Sequence, residues 1–395
     1  MNTSSRLDLD DRFSLASGGR LFEFLRRLDV RQKGMPRVAQ RVITLILIVW
    51  VPLLLLSLIQ GFAFGRQVAE PLLNDLDINI RCLVVVPLLI MAEFTVDPEL
   101  AGVIKQFINS DLVPPREIPR FESALHATAR LRDSSWVEIA LMVVALVVSY
   151  QAINAGLHDG RSSWLGTISG TTEHMTIAGW WYGLVSGPIQ RFLLYRWVWR
   201  LLIWCVLLWR ISRLDLILRP THPDRAGGLL FFGYGQVSFT LVILAASAIA
   251  SAHVGERIIW QSGDLGSYKV LLAGFIALCM VLILGPLVVF NRKLWAAKVR
   301  GLQQYGLLGG KYTASFDKKW IRREAEDQPL LGTGDIQSLA DLGNSYENIC
   351  KMKIVPVSRG VVLGVLAAAV APLLPLLLFH FSVEDLFLKI LDMLA

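Results

Sequence analysis

The sequence predicts an all-α, polytopic membrane protein with about seven transmembrane helices and a small helical cytoplasmic layer. Three observations support this. The 395-residue chain is 54% hydrophobic and has a mean hydropathy of +0.52, well above the soluble average. Its apolar residues form runs of about 20, the length that crosses the hydrocarbon core of a bilayer. Its basic residues alternate between the stretches that separate those runs.

Seven apolar runs are long enough to be membrane spans. They cover residues 42–63, 82–96, 136–155, 190–211, 230–252, 270–290 and 360–381. The second run is the shortest, and we expect it to take an outer turn from residues 78–81. Because seven is an odd number, the two termini are expected on opposite sides of the membrane.

The placement of Lys and Arg predicts the orientation. Stretches 1–41, 97–135, 211–229 and 291–358 carry nine, five, three and eleven of the 39 basic residues, whereas the three intervening stretches carry only Arg66, Arg161 and Arg257. Since cytoplasmic loops are enriched in Lys and Arg, this predicts a cytoplasmic N-terminus and a C-terminus on the outer side of the membrane. The same placement explains the net charge of +7, which therefore does not indicate nucleic-acid binding.

The stretches between the runs divide the chain into segments. Residues 1–41 form a cytoplasmic N-terminal segment, 42–290 the membrane bundle, 291–358 a cytoplasmic helical segment, and 359–395 the last span with an amphipathic tail. Within the bundle, residues 97–135 are predicted as a cytoplasmic helical hairpin that starts at Asp97-Pro98-Glu99 and is broken at Pro114-Pro115. The second span is expected to run straight into the first helix of this hairpin. Residues 309–334 are predicted as loop, and a helix is expected from Asp335.

The outer stretches contain aromatic and histidine residues. Trp164, Trp180 and Trp181 are typical of an aromatic belt at the membrane interface. Four of the six histidines lie on the outer side, but no two have the close spacing of metal ligands. The sequence therefore predicts no metal site and no cofactor, and no known catalytic motif assigns a catalytic residue.

The fourth run carries Arg191, Arg196, Arg200 and Arg210 on one apolar helix. From the assigned run, Arg200 is expected near mid-membrane, where an arginine costs about 2.5–3.5 kcal/mol and must face protein or water. One interpretation is a buried structural ion pair, and the other is a cationic lining for a polar path. The candidate acidic partners are Glu93 and Glu138. By helix rise Arg200 lies about 10 Å too far outward for either, so one of them is expected to pair with Arg210 instead.

A turn between the fourth and fifth runs is the second candidate site. It reads Arg219-Pro-Thr-His-Pro-Asp-Arg-Ala-Gly-Gly228. His222, Asp224 and Arg225 are candidates for a proton or anion site at a cytoplasmic mouth. The alternative is a tight turn in which Asp224 caps the fifth span and the glycines allow close helix approach.

Three short segments, residues 222–229, 339–346 and 353–358, resemble segments of bacterial multi-spanning inner-membrane proteins that have no assigned activity. The resemblance implies a bacterial inner-membrane setting, in which the outer C-terminus is periplasmic, and it implies no particular activity.

Three functional hypotheses follow from the sequence. The first is a homo-oligomeric channel or transporter for an ion or small polar solute, which predicts a water-accessible path past Arg200. The second is a non-conducting scaffold or signalling partner that binds a cytoplasmic protein, which predicts a dry bundle and an exposed cytoplasmic surface. The third is a membrane enzyme that acts on lipid. In all three the protein contacts membrane lipids.

Overall fold

The computed structural model describes residues 36–65, 68–157, 162–169, 172–261, 263–322 and 334–379. Within these ranges, seven helices are long and apolar enough to cross a membrane, which confirms the predicted number. We call them spans 1 to 7. They are Arg37–Ile59, Leu76–Asn109, Ser135–Asn154, Ile177–Ser212, Phe231–Trp260, Leu265–Ile321 and Arg359–Leu378.

Most spans are built from more than one helical segment. The α-helices are α1 Arg37–Val49, α2 Val51–Ile59, α3 Leu76–Ile80, α4 Val86–Asn109, α5 Ile118–Arg132, α6 Ser135–Leu157, α7 Ile177–Trp181, α8 Gly187–Ser212, α9 Phe231–Val237, α10 Thr240–Gln261, α11 Leu265–Leu284, α12 Asn291–Phe316, α13 Asp335–Cys350 and α14 Arg359–Val370. Short 3₁₀ segments cover Leu72–Asn74, Pro115–Glu117, Gly285–Phe290 and Ala371–Phe379, and π segments cover Arg81–Val85, Tyr182–Ser186 and Asp317–Ile321. One antiparallel hairpin pairs β1 Gly166–Ser169 with β2 Thr172–Met175.

Two elements differ from the sequence-based prediction. No helix starts at Asp97, because α4 continues through Pro98 from Val86 to Asn109; this continuity confirms that the second span runs straight into the first helix of the hairpin. Val96 and Leu100 on either side of the proline are fully buried, so their packing offsets the hydrogen bond that the proline removes. Residues 309–321 are not loop: α12 continues through Gly309 and Gly310 and ends in the third π segment.

The chain has two distinct ends. The end that contains Arg37, Ser135 and Ser212 also carries α5, α12 and α13, and we call it the basic face. The other end, the opposite face, is covered by residues 60–65 and 68–75 and by strands β1 and β2, and a bridge joins Glu70 to Ser163. Near the basic face, Phe107 contacts the rings of Phe121, Phe231 and Phe232, which form part of the main core.

Part of the sequence-based interpretation lies outside the described residues. This applies to residues 1–35, to Arg66 and Arg161, and to the amphipathic tail at 380–395. The aromatic-belt interpretation is wrong for Trp164, whose side chain is fully buried and packs against the ring of Tyr182. Trp180 is about half exposed, as an interfacial residue would be.

Candidate functional site

A buried cluster of ion pairs joins three spans at the carboxylate of Glu93. Arg41 of span 1 donates to Glu93 Oε2 at 2.9 Å, while Arg196 and Arg200 of span 4 donate to Oε1 at 3.0 and 3.2 Å. The Arg200 side chain is 2% exposed and that of Glu93 is 4% exposed. Charged side chains are this deeply buried only when they are paired, so the pairing is what allows them inside the bundle.

The expectation that Arg200 lies too far from Glu93 is wrong. Span 2 runs from Leu76 to Asn109, so Glu93 lies in the middle of a 34-residue helix and not at its end. Span 4 is also longer than the apolar run, with 36 residues that reach about 54 Å by helix rise. The two long helices bring Glu93 and Arg200 to the same level.

The ion pairs also correct the mid-membrane placement of Arg200. Arg41 is the fifth residue of span 1, which starts at Arg37. Glu138, which is buried near the start of span 3, interacts electrostatically with Arg196. The cluster therefore lies level with the basic-face ends of spans 1 and 3, and span 4 continues beyond it to Ser212.

The charges around Glu93 are close to balance. Arg41, Arg196 and Arg200 supply three positive charges. Glu93 and Glu138 supply two negative charges, and Asp97 supplies a third, since it interacts electrostatically with Arg200. The predicted pairing of Arg210 with one of the two acids is not observed: within the described residues, no contact joins Arg210 to Glu93 or to Glu138.

Aromatic packing fixes the position of Arg200. Its guanidinium lies over the Trp197 ring, 4.6 Å from the ring centroid. The indole nitrogen of Trp197 donates to the Leu89 carbonyl at 3.0 Å, and the ring contacts Phe239 edge-on. Cation–π attraction and a buried indole hydrogen bond thus hold the arginine beside span 2.

In the turn with His222, Asp224 and Arg225, the Asp224 carboxylate binds the backbone that leads into α9, whose N-cap residue is Leu230. Asp224 Oδ1 accepts from the backbone N–H groups of Ala226 and Gly228 at 2.8 and 3.1 Å, and Oδ2 accepts from that of Leu230 at 3.1 Å. His222 Nδ1 lies 2.8 Å from Asp224 Oδ1, although the Asp224 N–H also points at this nitrogen from 3.3 Å. At the hydrogen bond, the Asp224 N–H is the donor and His222 Nδ1 is the acceptor.

This turn packs against the segment that follows α13. The N–H of Lys353 donates to the Arg225 carbonyl at 2.7 Å, and Arg225 Nε reaches Asn348 Oδ1 at 3.4 Å. Arg225 has a φ of 54°, a left-handed conformation that is uncommon for a residue other than glycine. Two of the three segments that carry the resemblance noted above, residues 222–229 and 353–358, are therefore neighbours in the fold, and the geometry favours the structural interpretation of the turn.

Two buried amides inside the bundle lack hydrogen bonds. Gln236 in α9 is fully buried, and neither its Oε1 nor its Nε2 has a partner among the described residues. Gln190 in α8 donates to Cys82 Sγ at 2.9 Å, but its Oε1 is similarly unsatisfied. An unsatisfied buried polar group costs about 1–3 kcal/mol. These two amides are therefore candidate contacts for water or a polar solute.

A buried aspartate organises the opposite face. Asp75 Oδ1 accepts from the Ile78 N–H at 2.8 Å, and Oδ2 accepts from the Trp164 indole at 2.8 Å. Burial raises the pKa of the Asp75 carboxyl from 3.8 to about 7, although both hydrogen bonds act in the other direction. The nearby acids Asp77 and Glu70 add to the increase.

The sequence did not single out several of these residues. Arg41 was assigned to the basic N-terminal segment, although its position just before an apolar run is a signal that it enters the membrane bundle. Asp75 precedes a helix as a capping residue, a pattern that is readable but common. Nothing in the sequence distinguishes Gln236, because its burial depends on contacts between distant helices.

Known proteins and metal-site geometry add little to this picture. Within the described ranges, no group of three or more His, Cys, Asp or Glu residues is arranged to hold a metal ion. No protein-family model, no curated protein and no solved structure matches this chain.

Proposed function

We propose that this integral membrane protein is a non-conducting scaffold, and that the pair of helices α12 and α13 on its basic face binds a second copy of the chain. The observation that carries the proposal is an apolar surface on this pair that the described part of the chain does not cover. Leu307, Leu308 and Ile336 are 65%, 51% and 54% exposed.

The interior of the bundle supports a non-conducting role. The arginines that were candidates for a polar path are buried and paired with Glu93. Their charge is nearly balanced by nearby acids, so the cluster offers little net attraction to an anion. A closed, paired cluster of this kind is typical of a structural contact between helices.

The helix pair has the features of an association surface. Tyr312 donates to the Asp335 carbonyl at 3.1 Å, and Gly306 lies beside the Tyr346 ring, so the two helices run antiparallel. A Cβ on Gly309, Gly310 or Gly343 would meet no atom within 4 Å. Because helix-interior glycines cost stability, open glycines beside exposed leucines favour close approach by another helix.

The charges on α12 and α13 indicate which helix would approach this surface. Residues 291–321 carry seven Lys or Arg and one acid, whereas α13 carries three acids and no basic residue. Two copies related by a two-fold axis would place the basic helix of each beside the acidic helix of the other. Such isologous contacts are the commonest form of homo-oligomer.

Photo-crosslinking tests this proposal. A photoreactive phenylalanine analogue is placed at Leu307 in the full chain, and a matched probe is placed at Leu363, a comparably exposed leucine within span 7. After illumination of intact membranes, we expect an adduct of twice the chain mass from position 307 and none from position 363. In the chain that carries the probe at position 307, the double substitution Leu308→Asp and Ile336→Asp should abolish this adduct.

Two results would contradict the proposal. An adduct between position 307 and a different protein would replace the second copy with a cytoplasmic partner. Ion flux above that of empty vesicles, measured with the purified protein in liposomes, would exclude a non-conducting role.

A transport function is the second candidate, and the unsatisfied amides of Gln190 and Gln236 favour it. If they contact water, a polar path would pass close to span 4. Single cysteines at positions 196, 197 and 200, in a background without native cysteines, separate the two functions. Labelling by a membrane-impermeant thiol reagent at 196 and 200 but not at 197 would favour transport, and protection at all three favours the scaffold. No described contact favours the lipid-enzyme hypothesis.

We also propose that the basic face is cytoplasmic in a bacterial inner membrane, with the N-terminus inside and the C-terminus outside. The excess of Lys and Arg in the stretches at this face supports it. Cysteines introduced at Leu307 and at Trp180 test it. In intact cells, an impermeant reagent should label position 180 and spare position 307.

A further inference from the structure

A cavity of about 720 Å³ opens on the basic face, away from the ion-pair cluster. Three parts of the chain form its walls: the loop between α4 and α5, the extended segment after α8, and one side of α12. The lining residues are Pro114, Pro115, Arg116, Asp215, Leu216, Ile217, Leu218, Pro220, Ala297, Arg300 and Gln304. This volume lies within the range of about 300–1,000 Å³ for small-molecule sites.

The walls combine positive charge with apolar surface. Arg116 and Asp215 form an ion pair at the exposed rim. Arg300, in contrast, has no hydrogen bond or ion pair to any residue in the described ranges, and its helix neighbour Gln304 adds an amide to the same wall. Leu216, Leu218 and Ala297 contribute aliphatic surface.

The rim is held in place by the fold. Prolines at 114, 115 and 220 restrict the backbone of two walls, and the Ile217 N–H donates to the Leu112 carbonyl at 2.8 Å, which ties these walls together. A Cβ on Gly301 would lie 2.6 Å from Pro220, so α12 is tightly packed against the extended segment. A preformed site of this kind binds without a large ordering cost.

We propose that this cavity binds a phosphate ester that carries an apolar group. Guanidinium groups match the charge and the planar hydrogen-bonding geometry of phosphate oxygens, which accounts for Arg300 and for Arg116 at the rim. The aliphatic wall accounts for the apolar group, because inorganic phosphate alone would fill a small part of the volume.

The ester has two possible sources, a soluble metabolite and a phospholipid headgroup. Arg300 lies ten residues beyond Phe290, where the sixth apolar run ends, which is about 15 Å along the helix. That distance places the cavity outside the depth of most headgroups, so a soluble ester is the expected occupant.

Titration of the purified full chain with phenyl phosphate tests the site. In nanodiscs of neutral lipid, we expect saturable binding that is tighter than that of inorganic phosphate. Arg300→Gln should weaken it at least about tenfold, since a charge-assisted hydrogen bond is lost. Arg292→Gln, the matched control, removes the same charge from an exposed position on α12 that does not line the cavity, and should change binding less than about twofold.

A second variant and a second lipid complete the test. Gln304→Trp should block binding by filling the cavity without a change of charge. If nanodiscs of anionic phosphatidylglycerol leave phenyl phosphate affinity unchanged, the soluble source is supported, and if they compete, the same site takes a headgroup. Absence of saturable binding, or equal effects of Arg300→Gln and Arg292→Gln, would overturn the proposal.

Discussion

Glu93 of span 2 and Arg200 of span 4 form an ion pair, 3.2 Å apart, although 107 residues separate them in the chain. Because Arg41 and Arg196 bind the same carboxylate, one acid links spans 1, 2 and 4. Loss of this acid would leave three buried guanidinium groups without their common partner.

Glu93→Gln is therefore expected to destabilise the protein by about 3–5 kcal/mol, the usual cost of leaving buried charge unpaired. The measurement is thermal unfolding in detergent, followed by the elution of monodisperse protein after heating. Glu99→Gln, which removes an exposed acid from the same helix, is the control and should have little effect. Equal losses for the two variants would show that the cluster is energetically unimportant.

Asp224→Ala should destabilise the protein by about 2 kcal/mol, because three backbone N–H groups in the turn that leads into α9 lose their acceptor. Asp224→Asn retains one acceptor oxygen and should cost about half as much. If His222 and Asp224 instead formed a proton site, both substitutions would abolish function with little change in unfolding temperature.

The pH dependence of stability should contain a contribution from Asp75. Since its pKa rises from 3.8 to about 7 on folding, the folded protein binds this proton more tightly than the unfolded chain does. Its contribution is therefore fully present below pH 4 and is lost as the pH rises toward 7. Unfolding temperatures measured between pH 4.5 and 8 should fall less steeply in Asp75→Asn. An unchanged slope would show that this carboxyl titrates normally.

Two glycines of α12 should respond in opposite directions to alanine. In Gly301→Ala the new Cβ would lie 2.6 Å from Pro220 and 3.1 Å from Ile349, so overpacking should cost about 1–3 kcal/mol. In Gly309→Ala the Cβ meets nothing within 4 Å, and alanine should stabilise the helix by about 0.5–1 kcal/mol. Thermal unfolding of the monomeric protein measures both. If Gly309→Ala is instead neutral or destabilising only in the oligomer, this face is covered by a second copy.

The composition and the spacing of the apolar runs were sufficient to predict the number of spans, but they did not predict the lengths of the helices. Runs of apolar residues mark each segment that needs a low-dielectric environment, and this predicts seven spans. Spans 2 and 4 extend past their runs because Leu100, Phe107 and Ala178 bury their side chains among other helices. Packing between helices favours the same residue types as contact with lipid does. Hydropathy therefore cannot distinguish a residue that packs against another helix from one that faces lipid.

The candidate site was predictable in residue type and only partly in geometry. Buried arginines need acids, which identified Glu93 as a partner for the arginines of span 4. Which arginine reaches Glu93 depends on the positions of spans 2 and 4 along the membrane normal. An error of a few residues in span assignment changed the expected offset between Arg200 and Glu93 by about 10 Å. Arg41 was missed for the same reason, since its helix starts one turn earlier than the apolar run.

The π segments of spans 2 and 4 have a consequence for this pairing. Each segment accommodates one extra residue per turn, which rotates the rest of its helix by about 100° relative to an uninterrupted α-helix. Both segments precede the ion-pair residues, so the azimuth of Glu93 and of Arg200 is set near the opposite face, beside Asp75 and Tyr182. Removing one residue from a single π segment would turn one member of the pair toward lipid while the other stayed in place. Removing one residue from each π segment would rotate both helices. The backbone geometry near the opposite face therefore determines which side chains face each other at the ion-pair cluster.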